Sequence, residues 1–257
     1  MNEQLHFADS GEAADLAAFL GRLVHYDRAA AVRLQEGGGA LAVFGRPPSF
    51  DVLAIRTVRL AAPLSVPLDL TVSAGELLES VDEGSAGAVV PAPVTGPPWA
   101  GVLPPRGGWQ QVPGLPGPQA VRAALAAAVA EFRARDEALP PQHRTRSERD
   151  RIGREIWSRT LGDTELPLRA VHAAQSLGFL RPVRSTVPVG ASAAAGASAS
   201  VAASVGGSAS VRAPGGPDPV ALFASGGWLR LRTPYGSVAM RRPGATGGLG
   251  ALQVRPV

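Results

Sequence analysis

The sequence predicts an α+β protein: a small antiparallel sheet with an N-terminal helix, a central three-helix segment, and a C-terminal β-hairpin. Three observations predict it. Between Val32 and Val72 apolar residues alternate with polar ones, as on half-buried strands. From Pro118 to Ala138 the repeat lengthens, and Val121, Leu125, Val129 and Phe132 fall on one helical stripe. Near the C-terminus alternation returns on both sides of Thr233-Pro234-Tyr235-Gly236, a turn with proline second and glycine fourth.

In chain order, Ser10 is the expected N-cap of a first helix, whose inner face is Leu16, Phe19, Leu20, Leu23 and Val24. Val32 and Leu34, the turn Glu36-Gly37-Gly38-Gly39, then Leu41 and Val43 predict a hairpin. Arg46-Pro47-Pro48-Ser49 is a loop, because prolines cannot donate to a ladder. Phe50 to Leu60, apolar on both faces, is a central strand; Leu68, Leu70 and Val72 form the next. Ser73-Ala74-Gly75-Glu76 has the spacing of a capping box and opens a short helix.

From Pro91 to Pro118 proline and glycine crowd out regular structure, yet Trp99 and Trp109 argue against plain disorder, because such rings bury large areas when they dock. The segment is either a recognition loop carrying Trp99, Arg106 and Trp109 or, as is commoner for tryptophan, a strap that those rings anchor to the sheet. The long helix follows, its alanines favouring the helical state, until Pro140 and Pro141 stop it. Ser147 and Asp150 then suggest a capping box for a helix reaching Leu161, and Pro167 to Leu177 is a third, closed by Gly178 and Phe179. Between 188 and 219 the chain is almost wholly Ala, Gly, Ser and Val, read as a flexible low-complexity insertion. The last residues, 244–257, are expected to fray. These elements divide the chain into an α+β subdomain, 1–115, and a helical subdomain with the hairpin, 116–257. The hairpin regions also echo one another: Gly38-Gly39-Ala40-Leu41 through Pro47 to Ile55-Arg56 resembles Gly226-Gly227-Trp228-Leu229 through Pro234 to Met240-Arg241, though such matches arise easily in so biased a composition.

Composition narrows the chemistry. The 257 residues contain no cysteine, which removes disulfides, thiolate metal sites and cysteine nucleophiles. All 25 basic residues are arginine, the bias of a GC-rich genome. Residues 1–180 hold 17 arginines against 20 acids, whereas 181–257 hold 8 against the single acid Asp218, so an acidic partner is favoured for the C-terminal part. No basic start with an apolar run marks a signal peptide, and nothing approaches the roughly 20 apolar residues of a membrane span, so a cytoplasmic protein without membrane contact is expected.

None of the four histidines stands at metal-ligand spacing; His172 is the best candidate for a buried functional imidazole. Gly37-Gly38-Gly39 sits in a hairpin turn, not between strand and helix, so it is no phosphate cradle, and no nucleophile elbow occurs. No catalytic, cofactor or metal residue is therefore assigned, and the leaning is away from an enzyme. The leading reading is a non-enzymatic binding or scaffold module that meets an acidic protein surface through Trp99, Arg106, Trp109, Trp228, Arg230, Arg232, Tyr235 and Arg241. The alternative is a winged-helix-like nucleic-acid binder, with helices over 147–177, Arg169, His172 and Gln175 in the major groove, and a wing over 228–242. A third is an enzyme with a pocket under the Trp99–Trp109 loop.

Overall fold

The computed structural model describes residues 3–181 and 220–242. The chain runs β1 (Gln4–His6), α1 (Ser10–Tyr26), β2 (Ala31–Gly37), β3 (Ala40–Gly45), β4 (Leu53–Arg59), β5 (Asp69–Ser73), α2 (Ala74–Ser80), β6 (Gly87–Val89) and β7 (Gln110–Val112). Then come α3 (Pro118–Glu137), α4 (Arg146–Trp157), α5 (Leu168–Ser176), β8 (Ala221–Ser225), β9 (Trp228–Thr233) and β10 (Gly236–Arg241). The fold is α+β with antiparallel sheets and a C-terminal hairpin, as the sequence predicts. The insertion expected over 188–219 and the fraying expected over 244–257 lie outside the described residues.

The hairpin does not stand apart from the N-terminal strands. All but β1 and β6 join one eight-stranded sheet in the order β5-β2-β3-β4-β10-β9-β8-β7, larger than the small sheet expected. Its middle seam is the antiparallel pair β4–β10, with Ala54 opposite Val238. Either side of that seam lies a three-stranded meander preceded by a helix: α1 then β2-β3-β4, and α5 then β8-β9-β10. The echoed segments fall at equivalent places in the two meanders, Gly38-Gly39 and Gly226-Gly227 both at the first turn. Gly38 and Gly39 have φ of 64° and 76°, which a tight hairpin turn of this twist requires and side chains resist.

The helices cover one face. Leu16, Phe19, Leu20 and Leu23 of α1 and Val171 and Ala174 of α5 share a single buried cluster with Leu34, Val43, Val58, Leu229, Leu231 and Val238. At roughly 1.5–3 kcal/mol per fully buried aliphatic or phenyl side chain, this common core ties 1–115 to 116–257. The stop after α5 has the expected form: Gly178 takes φ 74°, its N–H donates to Gln175, and the Phe179 N–H donates to Ala174 at 2.8 Å.

Two caps are shifted. The α1 cap is Asp9, whose Oδ1 accepts the Glu12 N–H at 2.9 Å, not Ser10. The α4 cap is Thr145, whose Oγ1 accepts the Glu148 N–H, not Ser147. Neighbouring residues of capping type differ in which one stands where its oxygen reaches the third amide. Ser73 caps α2 as expected. The central strand begins at Leu53, not Phe50, because Ser49 and Asp51 both adopt positive φ and break the extended run.

Candidate functional site

The other face of the sheet is covered by the proline- and glycine-rich segment. Trp99, Leu103 and Trp109 pack on a second buried cluster of Phe44, Leu53, Ile55, Trp228 and Ala239. The rings anchor a strap. It carries a single 3₁₀ turn at Pro98–Gly101 and ends in β7, which pairs with β8 as the sheet's edge; neither was expected in a segment read as irregular. Trp109 holds the strap's own shape, its indole N–H donating to the Pro105 carbonyl at 2.9 Å, and Ser225 Oγ donates to Gly107 from the sheet below.

A cleft of about 200 Å³ remains between strap and sheet. Pro104, Pro105 and Arg106 form its roof, with Ala42, Phe44, Ile55 and Thr57 as its floor. Arg230 reaches in from β9. Its guanidinium donates to Ser237 Oγ at 3.0 Å, lies 5.8 Å from the Trp109 ring centre, and leaves Nε buried without a hydrogen-bond partner. Burial, together with the neighbouring charge of Arg232, holds the Arg230 pKa below its ordinary value. A cation so placed lacks the solvation it would have in water. Glu36 is the one carboxylate in the lining, and its Oε1 accepts the Gly39 N–H.

The predicted site residues divide between two faces. Trp99, Arg106, Trp109, Trp228 and Arg230 gather at the strap. Arg232 shares that sheet face but stacks over Phe223 at 4.8 Å, and the exposed Arg241 stacks over Trp228 at 4.3 Å. Tyr235 does not join them. It occupies the β9–β10 turn on the helix side, where Arg181 lies 3.6 Å over its ring and Arg56 donates to its carbonyl. The arginine-bearing face of the hairpin is thus half-covered by the strap, and β9 and β10 are interior strands paired on both sides. A wing would project from the fold; this hairpin forms the sheet's centre. Arg169 and His172 sit half-buried in a separate cleft and only Gln175 of the three is exposed.

Among the described residues, no cluster of three or more histidines and carboxylates is placed to hold a metal ion, and no helix is long and apolar enough to cross a membrane. A pocket under the Trp99–Trp109 loop was one of the expected readings; what sequence reasoning did not single out is that Pro104 and Pro105 form the roof of the cleft found there.

No curated protein matches the chain. The family described as Domain of unknown function (DUF8010) matches residues 1–101, which end as the strap begins to cross the sheet. The remaining strands of the common sheet lie within a second match, over more than half of the chain, and on that ground the protein belongs to the family described as Domain of unknown function (DUF8185), residues 104–245.

Proposed function

We propose that this protein is a non-catalytic binding module that takes an acidic side chain of a partner protein into the cleft between strap and sheet. One observation carries the reading: Arg230 is a half-buried cation whose Nε has no acceptor, and it lines an opening to solvent. A carboxylate entering there would meet Arg230 at the floor and Arg106 at the roof, and charge-assisted bonds of this kind are the strong ones. Size points to a partner's side chain over a free metabolite. The cleft, at about 200 Å³, is smaller than the roughly 300–1,000 Å³ of ordinary small-molecule sites. The apolar floor of Phe44 and Ile55 would take the methylene stem. With one carboxylate, Glu36, and no imidazole in the lining, the cleft brings together no acid–base pair for catalysis.

The test is a peptide array of acidic octamers probed with the full chain. Wild-type protein is expected to retain peptides with a Glu or Asp between apolar residues and to lose them as salt rises. Arg230→Met and Arg106→Ala should each weaken retention at least tenfold while circular dichroism stays unchanged. Retention indifferent to both substitutions would contradict the reading.

A further inference from the structure

Five rings from five different elements line up across the helix side of the molecule. Tyr26 ends α1, Phe50 is on the β3–β4 loop, His172 is on α5, Trp157 ends α4 and Phe132 is on α3. Their successive centroids are 5.9, 5.3, 4.4 and 6.2 Å apart, with His172 stacked on Trp157 at 25° and Phe50 edge-on to His172 at 83°. The last four rings line an open cleft of about 660 Å³, inside the size range of small-molecule sites.

Two cations share that cleft and are unused. Among the described residues, neither Arg154 nor Arg169 makes an ion pair or side-chain hydrogen bond, and Arg169 Nε is buried without an acceptor. Arg149, also in the lining, is engaged by Asp136 at 2.7 Å. The backbone adds a third sign: Phe50 is held between Ser49 and Asp51, whose φ values of 71° and 53° are unusual for residues with side chains. Such strain persists only where the surroundings impose it, and it gathers at ligand sites.

The geometry points to a binding site for a small planar anion, an aromatic ring bearing one phosphate or carboxylate, with the ring against Trp157, His172 and Phe50 and the anionic group on Arg154 and Arg169. Flat rings stack on flat rings, and a guanidinium fork matches a carboxylate or phosphate. Asp51 and Asp150 at the rim are only loosely paired, at 3.6 and 3.9 Å from Arg46 and Arg146, so they repel a longer polyanion. A monophosphate is therefore preferred to a triphosphate. Burial keeps the His172 imidazole neutral to lower pH than usual, which suits stacking and leaves the anion to the arginines.

Calorimetric titration of the full chain with adenosine monophosphate and, separately, 1-naphthoate tests this and tells a phosphate source from a carboxylate source. At least one should bind saturably, with adenosine, orthophosphate and adenosine triphosphate each at least tenfold weaker. Arg154→Gln combined with Arg169→Gln should cost at least tenfold, whereas Trp157→Phe, which keeps a ring in place, should cost less than His172→Ala. The His172 ring resonances, followed by NMR, should shift saturably as the site is filled. Failure of both probes to saturate at millimolar concentration would overturn the site, and so would equal binding of adenosine or indifference to the double substitution in a protein of unchanged circular dichroism.

Discussion

Arg56 of β4 donates to the main-chain carbonyl of Tyr235 at 2.9 Å, linking residues 179 positions apart across the seam of the sheet. The same guanidinium donates to Glu12 at 2.8 Å and lies 3.3 Å from Asp15, both on α1, and Arg181 reaches Asp15 from beyond α5. With its side chain only 8% exposed, Arg56 is the buried centre of a network that draws both family segments together.

Removing that centre should be costly. Arg56→Met takes the buried cation from Glu12 and Asp15 and leaves them only Arg59 and Arg181 nearer the solvent. The cost should therefore lie at or below the lower end of the about 3–5 kcal/mol of breaking a fully buried pair from one side. Chemical denaturation should show the midpoint falling sharply while the transition stays single, because the two halves share one core. Two separated transitions in the wild-type protein would contradict a common core.

Gly236 tests the fit between the β9–β10 turn and the helix layer. A Cβ there would lie 2.6 Å from the Phe179 ring, so Gly236→Ala should destabilise by about 1–3 kcal/mol through overpacking. Gly37→Ala, where a Cβ meets nothing within 4 Å, should stay within about 0.5 kcal/mol of wild type in the same melt.

The α3–α4 contact should be sensitive to acid. Hydrogen bonds from Arg135 hold the Glu155 carboxyl down to about 2, and those from Arg159 lower Glu131. A carboxyl depressed in the folded state contributes stability that is complete above the unfolded value of 4.5 and is lost as pH falls towards about 2. His172 adds a loss of the same sign at higher pH: its folded pKa lies below 6.5, so stability drops as pH falls below that value. Thermal melts of Glu155→Gln should therefore lack part of the fall between pH 4.5 and 2. His172→Phe should flatten the curve just below pH 6.5.

Trp109 should control the strap without controlling the fold. Trp109→Ala removes the hydrogen bond to Pro105 and the ring beside Arg230, freeing the roof of the cleft. Tryptic cleavage after Arg106 is expected to accelerate several-fold, with the global unfolding midpoint little changed. Cleavage at the wild-type rate would mean that the strap is held by something other than its tryptophans.

Local features were legible in the sequence and distant ones were not. The α3 boundaries, the Gly178-Phe179 stop and the Gly38-Gly39 turn depend on neighbours a few residues apart, so pattern alone locates them. The cap of α1 fell one residue away because Asp9 and Ser10 are both capping types and only geometry chooses between them. β7 and β8 escaped notice because Gln110–Val112 and Ala221–Ser225 are short and are extended chiefly through pairing with each other and with β9. The joining of β4 to β10 is a long-range pairing that no local periodicity encodes. For the sites, Trp99, Arg106, Trp109 and Arg230 could be singled out by type, but the convergence of Arg106 and Arg230 on one cleft beside the anchored tryptophans depends on long-range pairing of the strands. The ring row was less visible still: its members lie on five elements, and of them only His172 had been marked.

The central proposal is that Arg230 and Arg106 take up a partner's carboxylate. NMR of the arginine Nε–H resonances during titration with a blocked glutamyl peptide measures this most directly. Arg230 and Arg106 should shift saturably, while Arg59 and Arg146, outside the cleft, stay still. Uniform small shifts across all arginines, or none at Arg230, would contradict it.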